Sequence, residues 1–405
     1  MTTNAPKITP VILLFLATVF FLSAGYFFTK DLPQIADENV HYRQILNTLE
    51  RSPFTVDPYT VMIPGYHWTV ALPSLILHDS RGATLRLTTT VLSFFCILAF
   101  YLLAARIDKA SAVRRSLLFL SFPLFYPFFS LLYTDIYSMM FIYLSLLMAL
   151  DRRLWLSGII GVLSLLVRQN NIVWIAFIAL VAYMENYFPQ YRWKDVKPWL
   201  SKFFFYFLAL ALLIVFFIWN KGFVLGDRTH QPFSLNFNNL FLLLFLFFFL
   251  FLPFNIANFR KIVAFLTQHK GMWLVLAEVF LVFALFFKAN HPYNQFGRFL
   301  HNWILFGMAG SFPSKCIFFI PIAYSILSLC VTPLTKRSFY LIYPFTILYL
   351  MPNAVTEIRY CFIPFSLFLA LKEPDSPRIS LFTLASYIVP VAIIMYLLCN
   401  LTFFP

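Results

Sequence analysis

Four stretches of this chain run without a single charged residue: Val11–Phe28, Phe203–Trp219, Phe237–Phe259 and Ile379–Pro405, the last of them 27 residues long. About 20 consecutive apolar residues, rising 1.5 Å each, cross the hydrocarbon core of a bilayer, and buried helices of soluble domains rarely reach that length. The runs are apolar on every face, whereas a strand of a membrane barrel alternates apolar and polar at every second residue. A helix satisfies its own backbone groups in lipid without closing into a barrel. The expected fold is therefore an all-α polytopic membrane protein. Composition agrees, since only 11% of residues are charged, against roughly 25% in an ordinary soluble domain.

The formal charge of +14 does not point to nucleic acid, because the basic residues lie between the apolar runs. Arg106, Lys109, Arg114 and Arg115 form one group, Arg152 and Arg153 another, Arg192, Lys194, Lys197 and Lys202 a third, and Arg260, Lys261 and Lys270 a fourth. Cytosolic loops acquire this bias under the positive-inside rule. The five cysteines have no paired spacing, so neither a disulfide framework nor a metal site is expected.

The first run is read as a retained span, because the SAGYFFTKD that follows is too bulky for a signal cleavage site. Lys7 flanks it on one side and Asp31, Asp37 and Glu38 on the other, which makes residues 30–66 the first non-cytosolic loop. Tyr66–Leu77 is too short to span and reads as re-entrant or interfacial. The chain then alternates through Leu87–Ala105, Ser116–Leu132 and Ile136–Leu150. A hairpin of Trp155–Val167 and Ile172–Met184 follows, then Lys202–Trp219, Leu240–Phe254 and Met272–Phe287. This alternation puts Asp37, Asp135, Arg168, Asp227 and His291 on one side of the membrane. Beyond residue 299 the expected spans are Leu300–Ala309, Ile317–Val331, Phe339–Met351, Cys361–Leu371 and Leu381–Leu401, giving 11 to 13 in one integral domain over residues 1–405. Several segments are short, so tilted, broken or shielded helices are expected.

The polar residues in these loops are the candidates for chemistry. Asp37 is placed to cap a short helix running through Leu49, with His41 on the same face and Gln44 partly so; a solvated loop is the plainer reading. Asp57-Pro58 through Pro64-Gly65 fixes a turn in the same loop. Asp135 sits between two apolar runs, either as a helix cap or as a functional intramembrane carboxylate. Arg168, with Gln169, Asn170 and Asn171, either snorkels or lines a cavity that meets a phosphate. Asp227, Arg228 and His230 form another cluster. His291, Asn294, Gln295, Arg298 and His301 form the next, with His291, Asn294 and Arg298 roughly on one helical face. Glu357-Ile358-Arg359-Tyr360 is the last.

In the same order along the chain, these segments resemble one family: the dolichyl-phosphate-glucose-dependent α-1,2-glucosyltransferases that add the last glucose to the lipid-linked N-glycan precursor. Asp37, Glu38 and His41, followed by Gln44, are similar to an Asp-Glu-x-x-His segment. Asp57-Pro58 leads to Pro64-Gly65-Tyr66, with Val56 where the family has Trp. Tyr133-Thr134-Asp135 resembles Tyr-Tyr-Thr-Asp, and Arg168-Gln169-Asn170-Asn171-Ile172 resembles Arg-Gln-Thr-Asn-Ile. Gly226-Asp227-Arg228-Thr229-His230 is similar to a Gly-Asp-Lys/Arg-Ser-x-His segment. His291-Pro292, Gln295, Arg298 and His301 follow a loosened His-Pro…Asn-Arg-His pattern. Glu357-Ile358-Arg359-Tyr360 with Ile363-Pro364 resembles Glu-Pro-Arg-Tyr…Ile-Pro, Ile358 standing for a proline.

The resemblance implies a GT-C-type glycosyltransferase with a dolichyl (polyprenyl) phosphate glucose donor and a lipid-linked oligosaccharide acceptor. It implies the endoplasmic reticulum membrane in a eukaryote or the inner membrane in a bacterium. It further implies an inverting transfer with Asp37 as base and Glu38 as its rival, Asp135 as a second acidic partner, and Arg168, Arg228, Arg298 and Arg359 as phosphate contacts. His41, Gln44, Gln169, Asp227, His230, His291 and Glu357 would line the substrates. Neither a cofactor nor a metal ion is expected, and membrane lipids are the surrounding partners. A related polyprenyl-linked transferase with another acceptor stands as the enzymatic alternative. A transporter or flippase stands as the non-enzymatic one, although the chain shows no internal repeat of the kind many transporters have.

Overall fold

The computed structural model describes residues 8–186, 200–226 and 234–405. Among these residues it is built of α-helices and short 3-10 turns, with only isolated β-bridges and no strand. Two compact units divide the chain, Met1–Arg228 and Thr229–Pro405.

The first unit contains α1 (Ile8–Thr29), α2 (Glu38–Glu50), α3 (Gly65–Leu77), α4 (Gly82–Ile107), α5 (Ala112–Leu120), α6 (Thr134–Leu150), α7 (Leu154–Leu165), α8 (Ile172–Asn186) and α9 (Phe204–Asn220). α1 and α4 are long and apolar enough to cross a bilayer. α1 leaves its outer apolar side chains uncovered, with Leu13 59% and Phe20 69% exposed, as a lipid-facing helix should. α4 packs against α1, α3, α5 and α6, and α6 packs in turn against α7 and α8.

The expected span Ser116–Leu132 is not a single helix. Residues 116–132 leave α5 at Leu120 and pass through irregular backbone and a 3-10 turn at Tyr126–Phe129. Pro123 and Pro127 lack the amide hydrogen that a continuous helix needs. Every residue from Arg115 to Leu132 except Leu117 is buried, and a membrane protein tolerates non-helical backbone only where protein or a cavity shields it.

The second unit contains α10 (Asn238–Leu250), α11 (Leu252–Ala257), α12 (Phe259–Gln268), α13 (Met272–Phe286), α14 (Leu300–Ala309), α15 (Phe312–Cys330), α16 (Ile342–Leu350), α17 (Phe362–Leu371) and α18 (Pro377–Cys399). α15 and α18 are long and apolar enough to span, while α12 and α13 are bent by 107° at their junction. α10 breaks into α11 around Phe251 and Pro253. All ten residues of α17 are buried. Its Phe365 and Phe368 join Phe247, Phe251 and Phe254 in edge-to-face and tilted ring contacts, so a helix too short to span is shielded by aromatic neighbours. The structure thus shows a polytopic all-helical membrane protein with broken and short helices.

Candidate active site

The loop between α1 and α2 is built around one buried ion pair. Ala36 takes a left-handed φ of 52°, a conformation that a residue with a Cβ adopts at a cost of about 1 kcal/mol. The chain then enters α2 with Asp37 exposed and Glu38 completely buried. Asp37 occupies the N-cap position, as expected, but its side chain makes no capping hydrogen bond. The helix runs one residue past Leu49.

Glu38 Oε1 accepts from Arg86 Nε at 2.8 Å and from the Leu132 amide at 2.9 Å. Its Oε2 accepts from Arg86 Nη2 at 2.6 Å and from the Ile35 amide at 3.1 Å. Arg86 also donates from Nη1 to Thr29 O and Leu32 O, both at 2.6 Å, and from Nη2 to Pro33 O at 3.0 Å. All five guanidinium N–H groups are therefore used. Both carboxylate oxygens of Glu38 are occupied twice over, leaving no lone pair directed at a substrate. Sequence reasoning missed Arg86 because the expected span was started at Leu87. An arginine inside the otherwise apolar Leu85–Leu87 step is itself the signal, since ionisable residues within spans are rarely idle.

One turn into α2, His41 Nδ1 lies 2.9 Å from His67 Nε2, both side chains buried, with the rings stacked at 5.1 Å. Tyr133 packs edge-on against His41 and donates its hydroxyl to Ile35 O at 3.1 Å. Burial holds His67 well below the usual imidazole pKa, and neighbouring His41 adds to that effect.

Gln44 is buried and shapes the following loop. It donates to Thr55 O at 2.8 Å and accepts from the Asp57 amide at 2.7 Å and Thr60 Oγ1 at 3.3 Å. Asp57 in turn meets Arg43 at 3.3 Å. Gly65 and Gly226 fit where no other residue would. A Cβ on Gly65 would stand 2.4 Å from Leu166 O, and one on Gly226 would stand 2.5 Å from Pro58 O. Two sequence motifs thereby close on the same loop.

The 3-10 turn Gln169–Asn171 joins α7 and α8, as the expected hairpin requires. It brings together residues far apart in sequence. Arg168 Nη1 donates to Asp135 Oδ1 at 2.6 Å, with both side chains nearly buried. Asp135 lies in the first turn of α6, where the positive end of the helix favours a carboxylate. Gln169 donates to Val61 O at 3.2 Å and Phe223 O at 3.1 Å, tying the hairpin to the loop after α2. Leu132 and Tyr133 contact the Ile35–Glu38 segment directly, so Asp37, Glu38, His41, Asp135 and Arg168 gather in one region of the first unit.

In the second unit Glu357 and Arg359 pair at 3.3 Å, each about nine-tenths buried at the side chain. Their backbone is held by residues that sequence reasoning passed over or left without a role. Asn239 Oδ1 accepts from the Glu357 amide at 2.9 Å, while Asn294 donates to Thr356 O at 2.7 Å and accepts from its amide at 3.1 Å. Asn302 holds Tyr293 O and Phe296 O at 3.1 and 2.7 Å. The expected helical face of His291, Asn294 and Arg298 does not form. Pro292–Gln295 is a single 3-10 turn capped by His291, and Phe296 is extended, leaving Arg298 exposed in the loop. Asp227, Arg228 and His230 lie outside the described residues.

These features define a polytopic helical membrane protein in which buried ionisable residues on helix ends and in the loops between them are paired with one another. Residues 33–197 match the DIE2/ALG10 family. The curated relatives include the Dol-P-Glc:Glc(2)Man(9)GlcNAc(2)-PP-Dol alpha-1,2-glucosyltransferase of Candida glabrata, 26% identical over 71% of this chain and 59% of that protein. The Homo sapiens protein of the same name is 25% identical over 76% of this chain and 74% of its own. The family recognised from the short motifs is the one that these comparisons return. The chain spans 59% of the length of the Candida glabrata relative and 42% of the Candida albicans one. Among solved structures, the archaeal oligosaccharyltransferase AglB from Archaeoglobus fulgidus aligns with 96% of this chain and 56% of its own, at 14% identity and a TM-score of 0.43.

Proposed function

We propose that this protein is an inverting glucosyltransferase of the endoplasmic reticulum membrane. It moves glucose from dolichyl phosphate glucose to a lipid-linked oligosaccharide and forms an α-1,2 linkage. The observation that carries the assignment of the base is the division of labour between two adjacent carboxylates. Glu38 is saturated by four donors, whereas Asp37 stands exposed one residue before it.

In the proposed reaction the acceptor hydroxyl gives its proton to the Asp37 carboxylate as its oxygen attacks C1 of glucose. The C1–O bond to phosphate breaks on the opposite face, and dolichyl phosphate leaves with the bonding electron pair. Inversion of a β-linked donor into an α product requires this opposite-face arrangement. Asp135 is assigned to orient the acceptor, positioned by its bond to Arg168. His41 and Gln44 shape the same loop. Within the second unit, Arg359, oriented by Glu357, and the exposed Arg298 keep the phosphate-contact role, and His291 the lining role, that the family resemblance gives them; within the first, Gln169 keeps its lining role. Asp227, Arg228 and His230 keep the substrate-binding role that the family resemblance gives them.

The test is transfer from dolichyl phosphate glucose to a diglucosylated lipid-linked oligosaccharide by the purified full-length protein. Asp37→Asn should lower transfer by about 10²–10⁴-fold, the usual share of a general base, in a protein that still folds. Undiminished transfer by that variant would refute the assignment. Transfer only to a different lipid-linked glycan would replace the acceptor and leave the base intact.

A further inference from the structure

A polar cavity lies at the end of α6 remote from Asp135. α6 begins beside Asp135 and runs for 17 residues to Leu150, about 25 Å at 1.5 Å per residue. α7 starts there and runs back toward Arg168, α8 departs from that end and returns, and α9 begins just after Lys202. Where these four helix ends meet, a cavity of about 510 Å³ is lined by Arg152, Arg153, Trp155, Leu156, Asn186 and Lys202. Three cations line it and, among the described residues, no acid. The adjacent Asp151 is turned to Arg106, whose Nε it meets at 2.5 Å.

We propose that this cavity binds the phosphate headgroup of an anionic glycerophospholipid from the surrounding leaflet. Two observations beyond the charge favour a membrane lipid. Trp155 and Leu156 are 53% and 42% exposed at the cavity, and Ile159 and Leu163 continue the exposed apolar stripe of Trp155 along α7 at four-residue spacing. A headgroup in the cavity leaves its acyl chains lying along that stripe, with an indole at the level where such rings anchor helices. Basic pockets at the ends of membrane helices recognise phosphate headgroups in this way. Secondly, Arg152 is held at a φ of 64°. A glycine or asparagine would occupy that turn with less strain, so the position keeps a guanidinium at a conformational cost, a pattern associated with functional sites.

The test uses the full-length protein in vesicles of phosphatidylcholine alone or mixed with phosphatidylinositol, reading melting temperature and the lipid retained in native mass spectrometry. Anionic lipid should raise the melting temperature and stay bound, and inorganic phosphate should do neither. Arg152→Gln with Arg153→Gln should weaken the preference for anionic lipid roughly 30-fold, two cations at about 1 kcal/mol each. Arg152→Gly separates folding from binding: it should hold or raise the melting temperature in phosphatidylcholine while losing part of the response to phosphatidylinositol. Equal retention by wild type and the double variant overturns the proposal. Stabilisation by inorganic phosphate matching that of the lipid overturns the lipid as its source.

Discussion

Replacing Arg86 by methionine tests the keystone of the first unit. The side chains of Arg86 and Glu38 are 1% and 0% exposed, so solvent does not screen their interaction. Removing the guanidinium takes away two of the four donors on the Glu38 carboxylate. It also strips the Arg86 bonds from the carbonyls of Thr29, Leu32 and Pro33. Stranding one member of a buried ion pair costs about 3–5 kcal/mol, and the part-buried carbonyls of Leu32 and Pro33, which lose their Arg86 donor, add to that before relaxation. The expected loss is therefore at least about 4 kcal/mol, or roughly 10 °C in melting temperature for a unit of this size. Thermal melting of the detergent-solubilised protein reads it directly. Glu38→Met with Arg86→Met should recover part of the loss, because no buried charge is then stranded, and the cycle should show a coupling of about 2 kcal/mol. Glucose transfer should fall in Arg86→Met, because the segment that presents Asp37 loses three of its tethers. An Arg86→Met protein that melts within about 2 °C of wild type and transfers glucose at the full rate would refute the reasoning.

Three further perturbations follow from the same geometry. Asp135→Asn should reduce transfer and also destabilise the α7–α8 hairpin, and Arg168→Gln should add little to it in a double-mutant cycle, because the two share one ion pair at 2.6 Å. Folded His67 resists a proton that the unfolded chain accepts below about pH 6.5. Its depressed pKa therefore makes stability fall as the pH drops below that value and leaves it flat above; melting across that range should show the slope, and His67→Asn should flatten it. Gly226→Ala would set a methyl 2.5 Å from Pro58 O and 2.7 Å from Thr60 O. The loop between α2 and α3 must then shift, at about 1–3 kcal/mol, and proteolysis within residues 52–60 should accelerate.

How far the sequence made this molecule legible depends on which physical pattern carried each feature. Membrane residence was plain, because twenty uncharged residues have few other places to go. The hairpin around Arg168 and the helix after Asp37 were equally readable from their polar breaks. The Ser116–Leu132 segment was misread because hydropathy reports burial and not conformation: Pro123 and Pro127 break the helix while every flanking side chain is still suited to an apolar interior. Arg86 escaped for a related reason. A window of hydropathy can be trimmed to exclude one arginine, yet only tertiary structure could reveal that Glu38, 48 positions earlier, is its partner. The choice between Asp37 and Glu38 is the sharpest instance. As neighbours in sequence they are chemically alike, and the motif resemblance puts Asp37 first while keeping Glu38 as its rival. Their difference arises entirely from the left-handed turn at Ala36 and the buried arginine on α4, which commit Glu38 to structure and leave Asp37 at the surface. A residue that holds an active loop in place and one that performs chemistry in it can thus stand side by side. Asp37→Asn should spare folding and abolish transfer, whereas Arg86→Met should impair both.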